Sequence, residues 1–268
     1  MTTLRNAPLQ YVLAIIHFPP IMNMQKHIAV LQDAFRQEYP ELDTIASQSL
    51  TTQAGSEGLK LDISTETVWQ FARADRSMAL VLGSEFLVLH CGGGYPGHEE
   101  FIKRMAEAVA CLRDAEGVRI SHINAVGYRY VDLIEPSGEE ALADYLRAWA
   151  LPMAVPGLED SDIVLQQFSY QAAFVVAEGV LRFHANLRPP TTMPPDLVSP
   201  FLQANGWHTD RPKGDFAVLD FDHGRAFKSP MPLDPQQAAA HLLALHGPTR
   251  RLFDAAVTEH AIKTWSTP

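Results

Sequence analysis

Residues 125–134 read Ala-Val-Gly-Tyr-Arg-Tyr-Val-Asp-Leu-Ile. β-Branched and aromatic residues dominate this stretch, which marks it as a strand. An order of elements already used once begins again from it. The first round starts at Tyr11–Phe18 (YVLAIIHF), whose nearly continuous apolar character suits a strand covered on both faces. Pro19-Pro20 ends that strand. Met24, Ile28, Leu31 and Phe35 then recur at helical spacing, with Gln25, Lys26, Gln32, Asp33 and Arg36 opposite, so an amphipathic helix runs to about Tyr39-Pro40. Residues 44–66, rich in Thr, Ser, Gln and Gly, fit an exposed edge strand or loop. Trp69–Arg73, Ala79–Leu82 and Phe86–His90 read as a meander. Gly92-Gly-Gly-Tyr-Pro-Gly97 breaks the sheet, and a helix follows from His98 with Phe101, Met105, Val109 and Leu112 on one stripe, ending at Gly117.

The second round continues from 125–134. A helix is expected over 139–149, where Leu142, Leu146 and Trp149 share a face. Strands are expected at 163–177, 180–188 and 216–222, with a proline-dense loop (189–200) and a segment around Trp207 between the last two. Two helices, about 235–246 and 248–263, meet at Gly247-Pro248, since proline suits a helix's first turn. Strand, helix, several strands, helix therefore occurs twice, over 7–116 and 118–263. The expectation is an α+β protein of two similar β-α-β(meander)-α halves, 1–117 and 118–268. They would form a pseudo-symmetric pair of mainly antiparallel sheets with helices on one face, as one structural unit.

Composition bounds the partners. The 268 residues are 47% hydrophobic and carry a net charge of −10, and phosphate binding relies on Lys and Arg. A nucleic-acid or anionic-membrane surface is therefore not expected. Two cysteines, Cys91 and Cys111, cannot form a secreted disulfide framework, which suggests a reduced cytoplasmic setting. No signal peptide and no membrane-length apolar run are read.

Three places could carry chemistry. On a strand, Asp220 and Asp222 point to one face, away from Leu219 and Phe221, and Arg182, His184 and Asn186 form a similar polar row. If those strands are neighbours, the groups could hold a metal or phosphate or act as acid and base. A solvated or salt-bridged sheet face explains them more simply. Arg129 shares a face with Gly127, Val131 and Leu133, and a buried arginine needs a carboxylate. Asp220 or Asp222 is the expected partner, in a structural pair tying the halves together; binding of an anionic ligand is the alternative. His90, Cys91 and His98 flank the glycine run and invite a zinc proposal, but no fourth ligand stands at the usual spacing. A Cys91 nucleophile with a histidine base is weakened because neighbours on a strand point oppositely. No G-K-[ST], G-x-G-x-x-G, H-E-x-x-H or G-x-S-x-G pattern occurs, and no cofactor is expected.

Ala7-Pro8, Leu31–Pro40 (LQDAFRQEYP), Trp69-Gln-Phe71 with Asp75, Tyr95-Pro-Gly97 before Glu99-Glu-Phe101, Gly127–Asp132 (GYRYVD), Leu219–Asp222 (LDFD) and Phe253–Trp265 occur in this order. Together they resemble a sporadically distributed bacterial family of about this length that has no assigned biochemical function. The resemblance spans nearly the whole chain, with one departure: many relatives have Trp after Tyr-Pro-Gly, where this chain has His98. It implies a single-unit architecture and carries over no catalytic residue.

The leading functional expectation is a non-catalytic binding or regulatory protein, acting through another protein or as a homo-oligomer. The sporadic distribution of the family implies an accessory role in defence or conflict systems. The alternative is a metal- or nucleotide-dependent hydrolase around Asp220, Asp222, His184 and Arg182. Single-stranded RNA stacking on Tyr128 and Tyr130 is a third reading, disfavoured by charge. The halves should meet at Gly127–Asp132 and Leu219–Asp222.

Overall fold

Two strands with strong apolar patterns lie side by side at the centre of the molecule. Leu9–His17 (β1) runs antiparallel to His122–Ile134 (β6), with Leu13 opposite Arg129 and Ile15 opposite Gly127. Gly127 suits this register because a Cβ there would stand 2.8 Å from Ile15 Cγ2. The computed structural model describes residues 4, 6–55, 58–153, 162–198 and 210–267, with the backbone alone for 47–55, 58–66 and 198.

Seven further strands extend the sheet on either side: Glu41–Gly55 (β2), Gly58–Ala72 (β3), Met78–Leu82 (β4), Phe86–Cys91 (β5), Phe168–Val176 (β7), Gly179–Leu187 (β8) and Ala217–Pro232 (β9). The order is β2-β3-β4-β5-β1-β6-β9-β8-β7, and every pairing is antiparallel. Where a pair of sheets was expected, one continuous sheet forms. The reason is that β1 gives one edge to β5 and the other to β6, while β6 gives its second edge to β9, so no sheet edge is left at the seam.

Side-chain alternation sorts the residues between two faces. On one face Tyr128, Phe183, Leu219 and Phe221 meet the helices Ile28–Phe35 (α1), His98–Asp114 (α2) and Pro235–Ala256 (α5). On the other, Tyr11, Leu13, Val131, Leu133 and Val218 form a separate cluster with Met193 and Leu197. Leu197 belongs to the short helix Pro195–Val198 (α4), so this face is partly covered as well.

Several elements depart from the sequence expectation. Of the two readings for 44–66, edge strand or loop, the described residues take the strand: they belong to the edge strand β2 and to β3, with Gly55 opposite Gly58. The helix expected over 139–149 shrinks to Leu142–Tyr145 (α3) and a 3-10 turn at Ala148–Ala150, the Trp149 indole donating to the Ala255 carbonyl at 2.9 Å. The segment around Trp207 lies outside the described residues. Pro248 does not start a new helix: α5 runs through it, and Glu259–Ser266 (α6) follows behind a Thr258 cap. Proline removes one helical donor. Close by, the Leu245 carbonyl takes hydrogen bonds from the Thr249 hydroxyl and from His223 Nδ1 on β9, each 2.8 Å long. These side-chain bonds brace the helix against the sheet beside its proline.

The β7–β8 turn depends on Gly179, which sits at φ +131° with a hypothetical Cβ 2.2 Å from the Gly224 carbonyl oxygen. Gly179→Ala is expected to lower stability by about 1–3 kcal/mol, read by urea unfolding. Gly214→Ala, with nothing within 4 Å of its Cβ position, should stay within ~0.5 kcal/mol of wild type.

Candidate functional site

The polar row read from the sequence does assemble. Across β6 and β9, Arg129 stands opposite Asp222 and Val131 opposite Asp220; across β8 and β9, Arg182 stands opposite Asp222 and His184 opposite Asp220. Arg129 grips Asp220 in a fork, Nε to Oδ1 and Nη2 to Oδ2, both 2.8 Å. Its guanidinium also reaches Asp196 on α4, at 2.5 and 3.2 Å. His184 Nδ1 is 3.6 Å from Asp220, and Arg182 is 3.4 Å from Asp222 on the exposed rim. Asn186 accepts the Ser169 hydroxyl proton at 2.7 Å.

Asp220 is only 2% exposed. Burial alone would push its carboxyl up, but His184 and Arg129 together hold it below the ordinary carboxylate range. For Arg129 burial works against the charge, and its hydrogen bonds to Asp220 and Asp196 outweigh it, so the guanidinium stays charged. Both Asp220 oxygens are engaged, and the cluster ties β6, β9 and α4 together. Removing one partner of such a pair strands a buried charge: Arg129→Ala should cost about 3–5 kcal/mol, whereas Arg182→Ala, on the rim, should cost under ~1 kcal/mol. Because Asp220 is depressed in the folded state, its contribution is present at neutral pH and is lost as pH falls through its folded value. Urea titrations at neutral and acidic pH check both points.

His90, Cys91 and His98 are not brought together as a ligand set. His90 packs against the Tyr11 ring at 5.7 Å, on the face away from the long helices, while Cys91 belongs to the helix-side core. Burial pushes the Cys91 thiol up to about 11, so it stays protonated and is a poor nucleophile. Among the described residues, no group of three or more His, Cys, Asp or Glu is placed to hold a metal ion.

His98 lies elsewhere, in a cleft of about 560 Å³ between the Gly92–Gly97 loop, β6 and α5. Its ring stacks on His246 of α5 at 4.1 Å. His246 Nδ1 is 2.8 Å from the Tyr130 hydroxyl, and Tyr95 Oη lies 2.8 Å from Tyr128 Oη and 3.4 Å from Tyr130 Oη. Burial, then the charges of His98 and Arg250, lower His246 to about 4, so its ring is neutral at pH 7. Burial likewise pushes the Tyr95 phenol up to about 12. Tyr128 and Tyr130 thus hold a hydrogen-bonded wall beneath helices, not an open stacking surface.

At the same cleft stands Asp132, 5% exposed. Burial pushes its carboxyl up to about 7, although Arg250 pulls the other way; Asp220 adds to the rise. Among the described residues the Asp132 carboxyl makes no hydrogen bond or ion pair. Arg250 spends Nε on Asp254 at 2.9 Å and lies over the Phe253 ring. Asp132, Tyr95, His246 and Arg250 were not singled out as site residues from the sequence. Strand parity was the available signal for Asp132, since it puts this residue on the buried face of Tyr128 and Tyr130.

A carboxyl whose folded value lies above its unfolded value of ~3.9 destabilises the fold increasingly from about that pH to about 7, by on the order of 4 kcal/mol at the upper end. Arg250 and His246 from α5, His98 from α2, Tyr95 from the glycine loop, Tyr130 from β6 and Asp220 from β9 are the neighbouring charged or titratable groups. Asp132→Asn is therefore expected to gain more stability at pH 8 than at pH 5, as read by melting temperature across that range.

Compared with known proteins, the chain matches no family model and no curated protein. No helix among the described residues is long and apolar enough to cross a membrane.

Proposed function

We propose that the protein is a non-catalytic binding or regulatory protein acting through protein–protein contact, with the outer edge of β7 as the contact and a second copy of this chain as its simplest occupant. The observation that carries this reading is the character of that edge. Among the described residues β7 pairs with β8 alone. Its sequence, Phe168–Val176 (FSYQAAFVV), holds none of the charges or prolines with which edge strands ordinarily resist pairing. Val175 is 90% exposed and Phe174 38%, and Val164, on the chain leading into β7, is 79% exposed. At the opposite edge, by contrast, β2 begins with Glu41 and Asp43, both held by Arg76. A neutral edge is self-complementary across a two-fold axis, and strand addition supplies main-chain hydrogen bonds at once.

The hydrolase alternative at Asp220 and Asp222 has less support, because Arg129 occupies both oxygens of the buried carboxylate. An internal duplication belongs to the same reading. It is supported by the pairing of the first strand of each half with the last, β1 with β5 and β6 with β9. An accessory role in a bacterial defence or conflict system is retained from the resemblance, and a cytoplasmic setting from the cysteine content.

Light scattering tests the edge. Wild type is expected to be a dimer at micromolar concentration, and Val175→Lys a monomer with an unchanged melting temperature. A monomeric wild type, or a Val175→Lys dimer, would overturn the proposal.

A further inference from the structure

Two opposite charges face the cleft behind the glycine loop without meeting. Asp132 is buried to 5% exposure and has no hydrogen-bond donor among the described residues. Arg250 lines the same cleft, and its charge acts on the Asp132 proton without an ion pair forming between them. Only the Nε of that guanidinium is engaged, by Asp254. Its terminal nitrogens hydrogen-bond to none of the described residues. A buried carboxylate without a donor is costly, so the gap between the two groups is where a ligand would gain most.

We infer that this cleft is a binding site for a small zwitterion, a free amino acid, whose ammonium group meets Asp132 and whose carboxylate meets Arg250. The charges select the class. A simple anion would satisfy Arg250 but meet the Asp132 carboxylate, and a simple amine would satisfy Asp132 but face the guanidinium. Only a ligand bearing both signs answers both walls. Size agrees, since about 560 Å³ falls within the roughly 300–1,000 Å³ usual for small-molecule sites. Leu9, Phe221 and Phe253 supply an apolar wall for the ligand's side chain. On the loop side, Gly94 and Gly97 lie at φ +83° and +95° with nothing within 4 Å of their Cβ positions, so no side chain from them narrows the cleft.

Binding is linked to a proton. The ammonium group takes the ionised form of Asp132, so the fraction still protonated at neutral pH must release its proton as the ligand enters. The other titratable groups lining the cleft are His98 from α2, Tyr95 from the glycine loop, and Tyr130 and His246, which are bonded to each other.

The site is separate from the β7 edge, and Val175→Lys should bind as wild type does, so the two proposals fail independently. The test is isothermal titration of the full chain with each standard amino acid alone. At least one is expected to bind. Its deaminated acid and its carboxamide should each bind roughly tenfold or more weakly, about the value of one charge-assisted hydrogen bond. Titration in buffers of different ionisation enthalpy should show proton release near pH 7. Asp132→Asn, which removes a buried charge and so should fold, is expected to abolish that release and to bind the deaminated acid as well as the amino acid. Arg250→Gln should erase the preference for the carboxylate over the carboxamide. If no standard amino acid binds wild type, or if Asp132→Asn binds one undiminished, the inference is wrong.

Discussion

Strand β6 is covered on both sides, and each polar group it carries must be answered where it stands. Alternation sends Arg129 to one face and Tyr128, Tyr130 and Asp132 to the other. On the Arg129 face the answer is complete: Asp220 arrives from β9 and Asp196 from α4. This one interaction sets the position of α4 over the sheet and joins β6 to β9, both in the second half of the chain. Contrary to the expectation, it does not tie the two halves together, which meet instead where β1 pairs with β6. A guanidinium at this depth would otherwise exclude the packing of Val131, Leu133 and Val218 around it.

Asp220 and Asp132 make a useful contrast. Both are almost fully buried carboxyls on neighbouring strands, yet their protons move in opposite directions. The difference is geometric. Asp220 receives a bidentate arginine, whereas Asp132 feels the charge of Arg250 without a direct hydrogen bond from it. Desolvation acts on both, and direct hydrogen bonds decide which side wins. The scaffold carboxylate is the satisfied one, and the Asp132 carboxyl is the one left without a direct partner among the described residues.

How much of this could be read in the chain follows from the range of each signal. Period-two alternation is local, so the row of Asp220, Asp222, Arg182 and His184, the orientation of Arg129 and its carboxylate partner were all legible. Tyr128 and Tyr130 were equally readable as one face, but which helix would cover them was not. The cleft draws on Gly92–His98, β6 and α5, segments more than a hundred residues apart in part, and only tertiary contact places His98 against His246. The polar composition of 44–66 left edge strand and loop both open, because a pairing between neighbouring strands needs no apolar pattern to set its register. Pro248 misled for a different reason: side chains from β9 and α5 itself reinforce the helix beside the proline, and propensity carries no information about them.

The pairing of β1 with β6 also constrains the order in which this molecule can be made. Synthesis delivers β1 first, and the strands that flank it are residues 86–91 and 122–134. β6 in turn waits for β9, residues 217–232, before its second edge is closed. A growing chain therefore carries an apolar, half-paired strand through much of its own translation. Long-range antiparallel pairing of this kind is slow to form and exposes unpaired edges to other chains meanwhile. Until β9 has been made, the centre of the finished sheet is therefore an unpaired edge of β6.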